Sequence, residues 1–283
     1  IHIVFNGEIY NYPELRDKLD HYNYTSETDT EVILAAYEEW GTDCLTKLRG
    51  MFAFGLWDET EEQLFLARDR LGQKPLFLHT DGETLGFAST LSALLADESV
   101  PVKPDYPALR EFLTYQYVPH PKTGFEDIER LEPGEYLMFD ADGMRREQYW
   151  SLAFQDQSST PVSGLQNELE SKLREAVSIR MMSDVPLGVF LSGGVDSTVV
   201  THLMDEVSDQ QISTYSIGFD TYDELDFARQ VAKEYDTDHH EYTVEPDAVE
   251  ILPEIVRQFG MPFGDPSAVP TYYVSKMASQ DIT

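Results

Sequence analysis

The segment Ser192-Gly193-Gly194-Val195-Asp196-Ser197 gathers the residues of this chain best suited to chemistry. It follows the apolar run Val189-Phe190-Leu191 without a break and opens a helical pattern at Thr198. Paired glycines let backbone N–H groups close on an anion, and a new helix adds unpaired amides and the positive end of its dipole. Ser192 and Ser197 supply hydroxyl donors, and Asp196 is placed to hold Mg2+ between phosphate oxygens. A pyrophosphate group fits that set. The spacing is not the Walker form, because no Lys follows the glycines. The competing reading is a plain Gly-rich turn, which the two serines and the aspartate disfavour.

Other candidates are weaker alone. Phe5-Asn6-Gly7-Glu8 contains an Asn-Gly pair, which by itself is only a turn signal. Asp29, at the start of a helical pattern, reads alone as an N-cap. His239-His240-Glu241 invites a metal, but adjacent histidines point to opposite faces of a strand, so entry into a surface strand is expected. Arg68 and Asp69 are expected to order the loop before Pro75, and Tyr272 and Tyr273 to be core. Cys44 is the one cysteine, which excludes an intrachain disulfide and fits a reducing compartment; a buried apolar role is expected for it.

These residues need elements to position them. Ile1–Phe5 reads as a buried strand, Tyr12–His21 and Thr30–Trp40 as helices, the second capped by Thr28 or Asp29 and stopped by Gly41. Met51–Trp57 and Gln63–Arg68 read as strands around the acidic turn Asp58–Glu62. Leu76–His79 with Thr84–Ala88 and Tyr136–Asp140 with Arg145–Trp150 repeat the hairpin pattern, with a short helix at Ser89–Leu95. The first 152 residues are therefore expected to form a strand-rich α+β domain. A polar linker follows at 153–163, and 164–283 reads as a second domain in which strands alternate with helices: Leu165–Met182, Leu187–Leu191, Thr198–Val207, Ile212–Phe219 and Glu224–Tyr235. That alternation implies a parallel sheet flanked by helices.

The chain has 283 residues, of which 41% are apolar and 12% aromatic, enough to bury a sizeable core. Its 52 acidic against 20 basic residues give a net charge of −32. Such a field repels phosphate backbones and anionic lipid, so nucleic-acid and membrane-surface binding through net charge are excluded. No apolar run approaches the ~20 residues that span a bilayer, and a cytoplasmic location is expected. Only 8 of the bases are Lys, and the acids are spread along the chain. A dispersed acidic coat suits concentrated salt, and a halophilic source is expected.

Ser192–Ser197 resembles the pyrophosphate loop of the ATP pyrophosphatases, and Arg180–Gly188 is similar to the version in the asparagine synthetase family. Tyr215–Phe219, Asp223–Arg229, Thr237–Glu241 and Pro262–Ala268 extend that match; in it Leu191, Ser192, Gly193, Gly194, Asp196, Ser197 and Ile217 bind ATP, and Asp196 binds Mg2+. Phe5–Asn11 with Ser26–Glu31, Arg68–Leu76 and Phe87–Ser89 resembles the class II glutamine amidotransferases. The fold implied is an N-terminal-nucleophile αββα sandwich followed by the α/β ATP-pyrophosphatase sheet. By the same resemblance Asn6 and Gly7 form an oxyanion hole, and Glu8 and Asp29 hold the amino-acid end of glutamine.

The function implied is synthesis of asparagine from aspartate, glutamine and ATP, through an acyl-adenylate, releasing AMP, pyrophosphate and glutamate. A homodimer is compatible with it. Relatives of this plan amidate other acceptors or close a β-lactam ring; intact Asn6, Gly7, Glu8 and Asp29 count against the latter. A non-catalytic glutamine- or nucleotide-binding protein is the remaining alternative. The family's nucleophile is an N-terminal cysteine, whereas position 1 here is Ile in mid-strand and the end falls in a helical pattern. Both ends read as cut, and these residues alone are expected to be inactive.

Overall fold

A computed structural model describes residues 1–154, 161–182, 186–219, 225–244, 248–280 and 282. Most of the expected linker, Ser183–Val185 of the expected lead-in, and Asp223 and Glu224 lie outside the described residues. The chain divides into two compact units, Ile1–Phe154 with Val256–Gly264, and Gln155–Ile255 with Asp265–Thr283.

In the first unit the elements run β1 (His2–Ile9), α1 (Tyr12–Lys18), α2 (Asp29–Trp40), α3 (Cys44–Lys47), β2 (Gly50–Asp58), β3 (Gln63–Arg68), β4 (Phe77–Thr80), β5 (Leu85–Ala88), α4 (Leu91–Leu94), α5 (Tyr106–Tyr115), β6 (Ile128–Arg130), β7 (Glu135–Asp140) and β8 (Gly143–Gln148). The strands form a five-stranded sheet in the order β1-β2-β3-β7-β8 and a three-stranded sheet in the order β5-β4-β6. Alternation along each strand builds the layers. On β2 and β3, Phe52, Phe54, Leu56, Phe65 and Ala67 join Val32, Ile33 and Leu45 of the helices in one core. The intervening Ala53, Leu66 and Leu137 pack instead against Leu76 and Leu78 of the smaller sheet. Phe77, on the far face of that sheet, packs with Leu91 and Leu94 of α4. Helices, sheet, sheet, helices: the order is αββα, as expected.

The second unit contains α6 (Val162–Ser178), β9 (Gly188–Phe190), α7 (Val195–Val207), β10 (Ser213–Phe219), α8 (Leu225–Glu234), β11 (Asp238–Val244), most of α9 (Ala248–Phe259) and α10 (Ala268–Ala278). Its sheet is β11-β10-β9, parallel throughout. Its described core is small: Leu191 with Ala228 and Ala232, and Tyr215 with Val274 and Ala278.

Several local expectations need correction. Thr28, not Asp29, caps α2: its hydroxyl accepts the Glu31 N–H at 3.4 Å. α1 stops at Lys18, and the helix after Ser89 shortens to Leu91–Leu94. Helix α5 and strand β6 were not read from the sequence, although Asp105 caps α5 through the Ala108 N–H at 3.0 Å, ahead of Pro107.

Candidate functional site

Two constellations stand apart, one in each unit. In the first, β1 pairs antiparallel with β2, placing Asn6 opposite Ala53, Gly7 opposite Phe52 and Glu8 opposite Met51. Phe52 spends both its backbone groups on Asp69: its N–H donates to the Asp69 carboxylate at 3.2 Å, and its carbonyl accepts the Asp69 N–H at 2.8 Å. The Gly7–Phe52 pair is therefore a non-hydrogen-bonded one, and the Gly7 N–H points away from β2, along the outer edge of the sheet. Ile9 has the same parity. Its N–H donates at 2.9 Å to Oδ2 of Asp29, at the start of α2. So one edge of β1 carries both the Gly7 amide and the Asp29 carboxylate. Tyr10, of opposite parity, donates its N–H at 2.8 Å to the Arg49 carbonyl on the β2 side, which fits the same register.

Position 7 has to be glycine on packing grounds. A Cβ there would run into the Met51 carbonyl and stand 2.7 Å from the Phe52 Cα. The side chains of Asn6 and Glu8 leave β1 on the inter-sheet face, opposite to that of Ile3, Phe5 and Ile9. Asn6 lines a cleft of about 250 Å³ together with Phe87, Ala88 and Ser89. The Phe87–Ser89 match in the sequence is thus the far wall of the space that Asn6 faces.

The loop carrying Asp29 is held by Glu31, an acid in the first turn of α2. Its buried carboxylate accepts the Ser26 hydroxyl and N–H, both at 2.6 Å, and the Thr25 N–H and hydroxyl at 2.7 and 2.9 Å. Those donors, the Ser26 hydroxyl foremost, pull its pKa down to about 2. A glutamate accepting several donors ahead of a helix was the available signal.

Arg68 and Asp69 order the loop before Pro75, as expected, by dividing the work. The Arg68 guanidinium donates to the carbonyls of Leu131, Gly72 and Lys74 at 2.6, 2.7 and 2.7 Å. The Asp69 carboxylate takes the amides of Leu71, Gln73 and Lys74 at 3.0–3.1 Å. Cys44 is fully buried, and burial pushes its thiol up to about 12. It is a poor nucleophile there.

In the second unit Leu191, Ser192, Gly193 and Gly194 link β9 to α7. Leu191 is buried, its N–H donates to the Tyr215 carbonyl at 2.8 Å, and its own carbonyl accepts the Ser216 hydroxyl. The loop is thereby tied to β10 at its root. Gly193 has φ +76°, and a Cβ on it would stand 2.5 Å from the Phe227 Cβ and 2.7 Å from the Ala228 nitrogen at the start of α8. The Ser192 and Ser197 hydroxyls lie 3.2 Å apart, and Ser192 Oγ accepts the Gly194 N–H at 3.3 Å. Asp196 is exposed in the first turn of α7. Ile217 is half-buried on β10, against the Tyr215 cluster. The loop sits at the carboxyl end of a parallel strand, where open α/β sheets bind ligands.

His239 and His240 do point to opposite faces. His239 Nδ1 is 2.7 Å from the Thr214 hydroxyl, whereas the His240 ring stacks on Tyr215 with centroids 5.0 Å apart. Among the described residues no group of three or more His, Cys, Asp or Glu is placed to hold a metal. No described helix is long and apolar enough to cross a membrane.

Comparison with known proteins matches both halves. Residues 1–150 match the glutamine amidotransferase domain family and residues 168–283 the asparagine synthase family. The chain is 35% identical to "Asparagine synthetase [glutamine-hydrolyzing] 1" of Bacillus subtilis, over 99% of its own length and 45% of the relative. It is 39% identical to "Putative asparagine synthetase [glutamine-hydrolyzing] 2" of Methanocaldococcus jannaschii, over 99% of its length and 56% of the relative. An amidase of Gibberella zeae is 31% identical over 88% of the chain and 40% of the relative. The chain thus spans about half the length of these curated relatives. With the matched domain running from Ile1 to Trp150 of 283 residues, over an αββα sandwich, the chain belongs to the glutamine amidotransferase family.

Proposed function

We propose that the whole protein makes asparagine, taking ammonia from glutamine in the first unit and activating aspartate with ATP in the second. The observation that carries the first half is the outer edge of β1, with the Gly7 N–H and the Asp29 carboxylate side by side in register and Asn6 on the adjoining cleft. Amide hydrolysis develops negative charge on the carbonyl oxygen. Donors already fixed in place stabilise that charge without reorganising, and we assign that role to the Gly7 amide and the Asn6 side chain. Asp29, anchored through one oxygen to Ile9, offers its charge to the α-ammonium of glutamine, and the family resemblance assigns Glu8 to the same end. Cys44 is unsuited as nucleophile by its burial and raised pKa; the family resemblance assigns that role to an N-terminal cysteine.

In the second unit the Ser192–Ser197 loop takes the pyrophosphate end of ATP, and Ile217 packs against the adenine. The donor set suits Mg2+ held jointly with phosphate: Asp196 is one exposed carboxylate beside two hydroxyls, and Mg2+ is commonly bound by one or two carboxylates plus substrate oxygens. The ion would neutralise phosphate charge as pyrophosphate leaves. A carboxylate is a poor electrophile, and its acyl-adenylate is open to ammonia that stays unprotonated and away from water.

The test is a product assay on the native full-length protein. Asparagine, AMP and pyrophosphate should appear in equal amounts when glutamine, aspartate and ATP·Mg2+ are supplied together. Pyrophosphate release with no aspartate requirement would assign another acceptor. Binding of glutamine and ATP with no release for any amino-acid acceptor would leave a binding protein.

A further inference from the structure

The first unit contains a second cavity, of about 370 Å³, whose walls are mainly apolar: Phe77, Leu91, Phe259 and Phe263 are among its lining residues. Two arginines, Arg68 and Arg130, also line it. Arg68 is almost wholly buried and Arg130 half-buried. Each is held from behind by carbonyls and not by an acid. Arg68 donates to Leu131, Gly72 and Lys74, and Arg130 donates to Val118 at 2.5 Å and Lys122 at 3.1 Å. Among the described residues no carboxylate lies within ion-pairing reach of Arg130. Asp69, the acid nearest Arg68 in sequence, spends its oxygens on backbone amides.

Burial lowers the pKa of both arginines; at Arg68 the neighbouring Asp69 opposes that shift and Arg130 adds to it. Asp69 offsets part of the Arg68 charge, but among the described residues no acid pairs with Arg130, which leaves positive potential beside an apolar space. The volume is at the small end of ligand pockets. We propose that this cavity binds a small free carboxylate with an apolar or aromatic body, its carboxylate on Arg130 and Arg68 and its body against Phe77 and Phe259. A guanidinium fork matches a carboxylate in a planar, bidentate way, and the surrounding rings accept the remainder of such a molecule.

The experiment is calorimetric titration of this chain with 3-phenylpropionate, its neutral amide 3-phenylpropanamide, and the acid again in saturating glutamine. The acid should bind about tenfold or more tightly than the amide, the difference one charge-assisted contact provides. Glutamine should not displace it. Arg130→Gln should erase the preference for the acid and Arg130→Lys should retain part of it. Equal binding of acid and amide, no binding of the acid, displacement by glutamine, or a preference that survives Arg130→Gln would each overturn the proposal. Should Arg130→Gln fail to fold, the acid-against-amide comparison on the unaltered chain decides.

Discussion

The two candidate sites are positioned by different means. In the first unit the functional groups belong to a strand, and the ladder aims them: Gly7 and Ile9 turn their amides outward because Asn6 and Glu8 turn theirs toward β2. Behind that strand lies a core reaching from Ile9 to Met138. In the second unit most of the functional groups belong to a four-residue loop and the first turn of α7, the loop tied at its root to β10 and pressed at Gly193 against α8. Its described core is two small clusters, and Leu165 and Leu169 of α6 and Phe190 of β9 are exposed. A site built into a paired strand inherits the rigidity of the sheet. A site built on a loop depends on a few contacts, each of which can be removed singly.

The sharpest way to break that contrast is Gly7→Ala. The added methyl meets the Met51 carbonyl inside the ladder, so stability should fall by about 3 kcal/mol and glutaminase activity of the full-length protein should vanish. Denaturant unfolding of this chain checks the first part; a variant as stable as the parent would mean that the edge of β1 yields easily. Gly193→Ala should cost about 1–2 kcal/mol, from positive φ and the clash with Phe227, and should weaken ATP binding while leaving glutamine binding intact. Loss of both would contradict the independence of the two sites.

Asp29→Asn keeps an acceptor for the Ile9 N–H but discards the charge. Stability should change by less than about 1 kcal/mol, whereas KM for glutamine should rise about tenfold or more, with ammonia-dependent synthesis unaffected. Glu31 offers a pH readout. Its folded pKa, about 2, lies below the ordinary value of 4.5, so its stabilisation is present above pH 4.5 and is lost as pH falls toward 2. The stability gap between the parent and Glu31→Gln should accordingly close over that window; a gap constant with pH would assign Glu31 a packing role alone. The smallest effect sharpens the comparison of the cores. Raising KCl should raise the melting temperature, and at low salt the second unit should unfold first, since screening offsets the repulsion of a −32 chain. A melting temperature indifferent to KCl would remove the salt-adapted reading.

The strand-rich α+β class was legible from the two-residue period of the strands, whereas the αββα layering was implied only by the family resemblance. Phe52, Phe54 and Leu56 on one face, with Ala53 on the other, assign those faces before any neighbour is known. The Ser192–Ser197 loop was legible for a similar reason: glycine pairs, hydroxyls and a helix start are local. Helix α5 was passed over although Ala108, Leu109, Phe112 and Leu113 recur at helical spacing behind the Asp105 cap and Pro107. The cap of α2 stayed open between Thr28 and Asp29 because both are good cap residues; a long-range bond from Ile9 to Asp29 left the cap to Thr28.

The sequence by itself therefore determined the α+β and α/β classes, their order and the make-up of the Ser192–Ser197 loop, because these follow from local periodicity and backbone freedom. The αββα layers and the Asn6, Gly7, Glu8 and Asp29 set came only through the family resemblance. Only the tertiary structure decided that the Gly7 amide faces outward beside Asp29, that Glu31 clamps the loop between them, and that Arg68 and Arg130 share one cavity. Each of those joins residues far apart in the chain through strand register or side-chain contact. Such pairings depend on how the layers pack, and no local pattern encodes them.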